Sequence, residues 1–212
     1  YIEAALSIMA IGAFMAGWSS NNKYSMLGAF RGIARMIAYE VPMGICVISV
    51  AIMAHSLNVV EIVEAQSVWF AFAQPIGFVI FAIALITDLG RMPFDQTEAE
   101  EEIIAGYNTE YSGIRFGLLY FQEYIVFLLG SILLVHLYLG GWKGPVIPVI
   151  SFISPMIWFF MKLVIVLVAL IWIRVSLPRF RIDQVTDLGW KILLPLSMVN
   201  LVWAVVVGMY FA

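Results

Sequence analysis

Six apolar segments, each close to the length needed to cross a bilayer, alternate with polar segments along the chain. The hydrocarbon core of a membrane is about 30 Å thick, and roughly 20 helical residues cross it. The predicted spans lie near residues 1–17, 32–54, 66–87, 116–138, 153–173 and 191–212. Continuous apolar runs differ from the alternating pattern of a transmembrane β-barrel. The pattern therefore predicts an all-α, polytopic helical membrane protein, with one transmembrane domain over residues 1–212.

The composition excludes a water-soluble globule. Hydrophobic residues make up 63% of the 212 residues and charged residues only 12%, against about 25% charged in ordinary soluble domains. The one cysteine, Cys46, excludes a disulfide within the chain, and it excludes an iron–sulfur cluster held by this chain alone. A net charge of −3 provides no basic excess for nucleic acid.

The basic residues predict the orientation of the spans. Nine of the eleven lie in or beside the loops that follow spans one, three and five, which are residues 18–31, 88–115 and 174–190. Because basic loops stay on the cytoplasmic side, these inner loops are expected to face the cytoplasm or the interior of an organelle. Both ends of the chain then face outward.

Two acids lie inside predicted spans, where an ionised side chain costs at least roughly 2.5–3.5 kcal/mol. Glu40 lies in the second span, and Glu123 lies in the fourth. Pro42 is expected to open the helix locally beside Glu40, because proline removes one backbone donor. Each acid alone could also be interfacial or structural. Together they favour a path for charge.

The inner loop 88–115 is rich in acids. A capping box formed by Thr97 and Glu100 predicts a short helix, on which Glu98 and Glu102 share one face and repel each other. Asp88 and Arg91 have the spacing of a helical ion pair. Acids and interleaved arginines that continue from this loop, including Asp88, into two spans at Glu40 and Glu123 are typical of a proton or charge path. If the loop is wet, the same acids form only a solvated face.

Other kinds of site have little support. No cluster of metal ligands is evident, the serines lack a histidine and aspartate partner set, and no glycine-rich phosphate loop is present. The many methionine and aromatic residues are typical of lipid-facing or interhelical positions, although an aromatic-lined slot for a lipid-like ligand has the same composition.

Several motifs, in this order and spacing, identify a resemblance. They are Gly17-Trp18-Ser19-Ser20-Asn21-Asn22-Lys23-Tyr24, Arg31 with Tyr39-Glu40, Arg91-x-Pro93-Phe94-Asp95 continuing to Glu98-x-Glu100-x-Glu102, Glu110-Tyr111-Ser112, Glu123-Tyr124, Trp172-Ile173-Arg174 and Pro178-Arg179-Phe180-Arg181-x-Asp183-Gln184. Over its whole length the chain closely resembles the quinone-site membrane subunit of respiratory complex I, which is known as subunit 1 or by the letter H.

The resemblance implies an all-helical subunit that joins a hydrophilic redox arm to small membrane subunits and antiporter-like, proton-pumping subunits. It implies a quinone-reduction chamber built partly from the inner loops, and an acidic funnel for protons or charge. By this resemblance the funnel acids are Glu40, Glu98, Glu100, Glu102, Glu110 and Glu123, Asp95 matches the family's loop aspartate, and Asp88 is added to the same path. The residues implied for the chamber or for ion pairs are Arg31, Arg91, Arg174, Arg179, Arg181 and Asp183.

The same resemblance implies that quinone is a substrate, that lipid surrounds the subunit, and that flavin and iron–sulfur clusters belong to partner subunits. No cofactor or metal is expected on this chain alone. The expected location is a prokaryotic cell membrane, or else the mitochondrial inner or thylakoid membrane. The complete enzyme would be a proton-translocating NADH:quinone oxidoreductase.

Two departures from the family pattern are visible. The family usually has Glu where this chain has Asp88, whose side chain is shorter, so a changed partner or water is expected there. The family also begins with further spans and an inner-face helix, so the chain is expected to be a piece of a longer protein. Glu101 and Arg35 are outside the recognised pattern.

Three alternatives remain open. One is the membrane subunit of an energy-converting hydrogenase, and another is a relative of complex I that receives electrons from a deazaflavin or a ferredoxin. A secondary transporter that works alone is the third. It is less favoured because such folds commonly have repeated halves with paired broken helices, and only Pro42 indicates a break.

Overall fold

The computed structural model describes residues 1–88, 90, 93–95, 106–145 and 153–211, and every regular element within these ranges is helical. The α-helices are α1 (Ile2–Ser19), α2 (Lys23–Ala54), α3 (Val59–Ala65), α4 (Phe70–Ala73), α5 (Pro75–Asp88), α6 (Gly113–Tyr138), α7 (Ser154–Ser176), α8 (Ile182–Asp187) and α9 (Leu194–Phe211). A 3₁₀ turn, Gly106–Asn108, precedes α6, and a π-helical segment, Leu188–Leu193, joins α8 to α9.

Five helical segments in the described part are long and apolar enough to cross a membrane. They are Ile2–Ser19, Lys23–Ala54, Gly113–Tyr138, Ser154–Ser176 and Ile182–Met209. The prediction of an all-α, helical membrane protein is thereby confirmed. The helices extend the predicted spans by several residues, chiefly at the ends nearest the inner loops.

The prediction that residues 66–87 form one continuous helix is wrong. The chain forms the short α4, breaks at Gln74, and resumes at Pro75 as α5, which has only 14 residues. At 1.5 Å per residue, α5 is shorter than the hydrocarbon core of a bilayer. The break coincides with Pro75, whose missing N–H suits the first turn of a helix but not its interior.

The broken span is completed by hydrogen bonds from α9. The Trp203 indole N–H donates to the Ala73 carbonyl at 3.1 Å, and the Gly77 backbone N–H donates to Asn200 Oδ1 at 3.1 Å. The buried Gln74 amide donates to the Ser49 carbonyl of α2 at 3.4 Å. A backbone break at membrane depth is tolerated only where protein groups satisfy it in this way.

The inner loops are more helical than expected. Residues 18–31 are not a loop, because α2 begins at Lys23, where the Asn22 side chain caps it by accepting from the Tyr24 N–H at 3.0 Å. Residues 174–190 include the end of α7, all of α8 and the start of the π-helical segment. The helix α2 continues through Pro42 to Ala54, so the opening expected there does not interrupt the helix.

Helix α2 is the centre of the bundle and packs against α1, α5 and α9. Small residues on its buried faces, including Gly28, Ala29, Gly32 and Ala38, allow the neighbouring helices to approach closely. The 3₁₀ turn and α8 also contact α2. Side chains of α2 therefore meet residues from distant parts of the sequence.

Candidate functional site

A cavity of about 50 Å³ lies among α1, α2, the end of α5, α6 and the 3₁₀ turn. Most of its lining is apolar, from residues such as Leu6, Met9, Phe14 and Val126. Its polar lining comes from Arg35, Asp88, Tyr107, Gln122 and Glu123. Since one water needs roughly 10–15 Å³ of such space and two to four polar partners, the cavity has room for a few water molecules.

Arg35 of α2 is the buried cation of this site, with only 4% of its surface exposed. Its Nη1 donates to the Phe94 carbonyl at 3.1 Å, while its Nε has no hydrogen-bond partner among the described residues. It interacts electrostatically with Asp88, Glu123 and Asp95. A buried guanidinium needs such compensation, because an unpaired charge there is strongly unfavourable.

Glu123 of α6 reaches the same cavity. The Tyr107 hydroxyl donates to its Oε1 at 3.1 Å. Tyr107 is buried in the 3₁₀ turn, and its backbone carbonyl accepts from the Ser25 hydroxyl of α2 at 3.3 Å. The turn thus connects an intramembrane carboxylate to the start of α2.

Asp88, at the end of α5, faces Arg35. The expected partner Arg91 lies outside the described residues, and within the described part of the chain Arg35 is a cation that acts on Asp88. Asp88 Oδ1 is buried without a hydrogen-bond partner in the described part of the chain. Among the described residues, Asp88 interacts electrostatically with Arg35 and Glu40.

Glu40 interacts electrostatically with two further acids. Electrostatic interactions join Asp88 to Glu40, and Glu3 of α1 to both. The Ser7 hydroxyl lies within hydrogen-bonding reach of Glu40 and also donates to the Glu3 carbonyl at 3.2 Å. Glu3, Glu40 and Asp88 thus form an electrostatically linked set of acids.

Glu110 lies away from the cavity at an exposed position, where it accepts a hydrogen bond from Asn22 Nδ2 at 2.7 Å. The Tyr111 hydroxyl beside it contacts the Ser19 hydroxyl at 3.0 Å and donates to the Ala16 carbonyl at 2.8 Å. These contacts bind the segment before α6 to the junction of α1 and α2.

Asp95 directly follows Phe94, whose ring connects two inner segments. The Phe94 ring stacks on Phe180 at a centroid distance of 5.6 Å and packs on Tyr39 at 5.9 Å. The Phe180 N–H donates to the Pro93 carbonyl at 3.0 Å. The segment 93–95 is thus held between α2 and the stretch before α8, in which the half-buried Arg179 precedes Phe180.

Other predicted residues lie outside the buried cavity. Arg174 is exposed at the end of α7, and Arg31 is half-buried on α2. Arg181 and Asp183 are exposed and form an ion pair of 3.5 Å. Four predicted residues, Arg91, Glu98, Glu100 and Glu102, lie outside the described residues, as does the predicted capping box at Thr97.

Sequence reasoning missed Arg35, Tyr107 and Glu3. For Arg35 a signal was available, because it lies one turn beyond Arg31 within a predicted span, where a cation needs a partner. For Tyr107 no signal distinguishes it from the other aromatic residues of the chain. Within the described ranges, no group of three or more His, Cys, Asp or Glu side chains has the arrangement of a metal site.

Comparison with known proteins gives a match along nearly the whole chain. A family model described as NADH dehydrogenase matches residues 1–205. The F(420)H(2) dehydrogenase subunit that is designated H in Methanosarcina acetivorans is 58% identical over 215 residues, which cover 99% of this chain and 62% of that protein. Its counterpart from Methanosarcina mazei is 55% identical over 216 residues, with the same coverage.

A bacterial relative matches at lower identity. The subunit designated H in the NADH-quinone oxidoreductase of Dehalococcoides mccartyi (strain CBDB1) is 50% identical over 202 residues, which cover 95% of this chain and 56% of that protein. The chain spans about three-fifths of the length of the curated relatives it matches.

Proposed function

The chain belongs to the family of membrane subunits that includes those of NADH dehydrogenase and F420H2 dehydrogenase, and we propose that it couples electron transfer to proton translocation. The observation that carries the proposal is the grouping of the buried Arg35 with the half-buried Asp88 and Glu123 around a cavity with room for a few water molecules. Ionisable groups inside a membrane domain are costly, and they mark ion or proton pathways.

The electron donor favoured by similarity is reduced F420. The identity to the Methanosarcina F420H2 dehydrogenase subunits, 55–58%, exceeds the 50% identity to the NADH-quinone oxidoreductase subunit of Dehalococcoides. This difference supports the deazaflavin alternative over the NADH-oxidising enzyme that the sequence motifs first indicated. An NADH-oxidising complex remains the second candidate.

In the proposed path, protons reside on carboxylates that share their surroundings with the buried cation Arg35. Glu123 exchanges a proton with water in the cavity, while the Tyr107 hydroxyl holds its carboxylate in place. Asp88 continues the path toward Glu40 and Glu3, which are its electrostatic neighbours. The loop acids Asp95, Glu98, Glu100, Glu102 and Glu110 complete the path at the inner face.

The acceptor chamber is proposed on the inner side, around the segment 93–95 and the start of α8. Contacts of Phe94 with Phe180 and of Phe180 N–H with Pro93 support this position, because they bring two family motifs together. A quinone or another lipid-soluble acceptor of that class is the proposed substrate. The cations and the acid assigned to this chamber are Arg31, Arg91, Arg174, Arg179, Arg181 and Asp183.

The remaining parts of the enzyme are proposed to lie on partner subunits. Flavin and iron–sulfur clusters belong to a hydrophilic redox arm bound to the inner loops, and antiporter-like subunits bind within the membrane. The inner loops then face the cytoplasm of a prokaryotic cell. Exposed apolar side chains on every long helix suit contact with lipid or with such partners.

The test uses the complete complex, purified through a tag on this protein and reconstituted in vesicles. Oxidation of reduced F420 and of NADH is measured with a quinone-class acceptor, together with proton uptake. Glu123→Gln is expected to assemble and to lose coupled proton uptake. The control is Glu64→Gln, an exposed acid of α3, which is expected to behave as wild type. Full proton uptake in assembled Glu123→Gln, or the absence of redox subunits from the purified complex, would contradict the proposal.

A further inference from the structure

Arg35 has a second set of contacts, separate from the acids, that joins the cavity to Gly90 and to the inner segment 93–95. Its Nη1 donates to the Phe94 backbone carbonyl at 3.1 Å. A hydrogen bond from a charged guanidinium is stronger than one between two neutral groups. The position of Phe94 therefore depends on the position of Arg35.

Gly90 provides the space for this contact. A Cβ added at Gly90 would lie 3.2 Å from both Nη1 and Nη2 of Arg35, closer than an ordinary van der Waals contact. Gly90 also has φ +63°, a left-handed conformation that favours glycine. The guanidinium thus lies directly against the backbone at Gly90.

The segment held by Arg35 is itself attached to the region before α8. Phe94 packs between Tyr39 and Phe180, and the Tyr39 hydroxyl donates to the Val185 carbonyl of α8 at 2.9 Å. Displacement of Arg35 would therefore shift the contact between the segment 93–95 and the region of residues 180–185.

We propose that Arg35 is a positioning residue that links the charge state of Asp88 and Glu123 to the position of the inner segment 93–95. When these acids are ionised, they hold the guanidinium in the cavity and Phe94 in its packed position. When one of them binds a proton, the attraction weakens and the segment is released. The link also works in the reverse direction: movement of the segment shifts the Arg35 guanidinium, and this changes the charge around Asp88 and Glu123. This inference rests on the proposed function, in which the same acids carry protons.

The main experiment displaces the guanidinium without removing its charge. In Gly90→Ala, the added methyl meets Arg35, and alanine is also strained at positive φ. The matched control is Gly113→Ala, since Gly113 has φ +60° but nothing within 4 Å of an added Cβ. Both variants are introduced into the complete complex, and protons taken up per acceptor reduced are measured in vesicles.

In Gly90→Ala we expect a clear loss of protons taken up per acceptor reduced, while Gly113→Ala keeps the wild-type ratio. The redox arm should still oxidise its donor with an artificial acceptor in both. Equal ratios in the two assembled variants would overturn the proposal, because the strain is shared and only the contact with Arg35 differs.

A second pair of variants removes the guanidinium itself. Arg35→Gln is expected to lower the ratio and to show no additional loss when combined with Gly90→Ala, because both changes break the same link. Arg115→Gln, a neutralised exposed arginine of α6, should have the wild-type ratio. If Arg35→Gln fails to assemble, Arg35→Lys preserves the charge, and its ratio should fall between wild type and Gly90→Ala. A wild-type ratio in assembled Arg35→Gln or Arg35→Lys would overturn the proposal.

Glu123→Gln separates this inference from the proposed function. If Glu123→Gln uncouples the complex while the Arg35 and Gly90 variants match their controls, only the positioning role is wrong. If Glu123→Gln is fully coupled, the proposed proton path is wrong as well.

Discussion

Gly189 of the π-helical segment lies against the backbone carbonyl of Ala38, so closely that an added Cβ would be 2.8 Å from the carbonyl oxygen. The Ala38 carbonyl precedes Pro42 by one helical turn, and proline has no N–H to donate to it. The absence of a side chain at Gly189 therefore allows the π-helical segment to pack closely against α2 where the proline leaves the Ala38 carbonyl without its helical donor.

Gly189→Ala is expected to destabilise the protein by about 1–3 kcal/mol, because the methyl overlaps backbone atoms that cannot move aside. The measurement is the thermal unfolding of this chain in the purified complex. Gly208→Ala is the matched control, since its added Cβ would have no neighbour closer than 3.7 Å. Equal stability of the two variants would show that the contact at Ala38 relaxes without cost.

Tyr107→Phe is expected to lower coupled proton uptake about tenfold while the complex assembles. The substitution removes only the hydroxyl that donates to Glu123 at 3.1 Å, and a hydrogen bond to a charged group contributes about 1.5–3 kcal/mol. Tyr124→Phe, at an exposed position of α6, should have little effect. An unchanged rate in Tyr107→Phe would mean that Glu123 is held by its other contacts.

Glu40→Gln and Glu123→Gln are each expected to assemble and to lose coupled turnover, because the amide retains the shape of the side chain but cannot titrate. The double variant should be little worse than either single variant, since the second change interrupts a path already broken. Proton uptake per acceptor reduced is the quantity compared. Strictly multiplied losses would indicate two independent roles for these acids.

Lys162→Met tests the end of the bundle opposite the inner loops. The Lys162 ammonium donates to the carbonyls of Leu139 at 2.6 Å, Gly141 at 3.1 Å and Lys143 at 2.6 Å. Removal of the ammonium leaves carbonyls unsatisfied at about 1–3 kcal/mol each. Thermal unfolding should occur at a clearly lower temperature.

Lys191→Met is the control for this experiment. Lys191 is exposed and pairs with Asp187 at 2.6 Å, and surface ion pairs contribute little. A larger loss of stability in Lys191→Met than in Lys162→Met would contradict the assignment of Lys162 as the cation that ties these carbonyls together.

The amino-acid sequence by itself determined the class of the protein and the number of apolar segments. Length and hydropathy suffice for this, because a bilayer of fixed thickness demands helices of about 20 apolar residues whatever their neighbours are. The motifs likewise sufficed to identify the family, because their residue types and spacing can be read directly from the amino-acid sequence.

Only the tertiary structure decided how the third span breaks and which charges meet. The break at Gln74 is stable because Asn200 and Trp203, 123 and 130 residues away from their partners, satisfy the freed backbone groups. Arg35 meets Phe94 across 59 residues. A helical pattern indicates that a buried arginine needs a counter-charge, but the identity of that partner depends on packing between helices that local sequence does not encode.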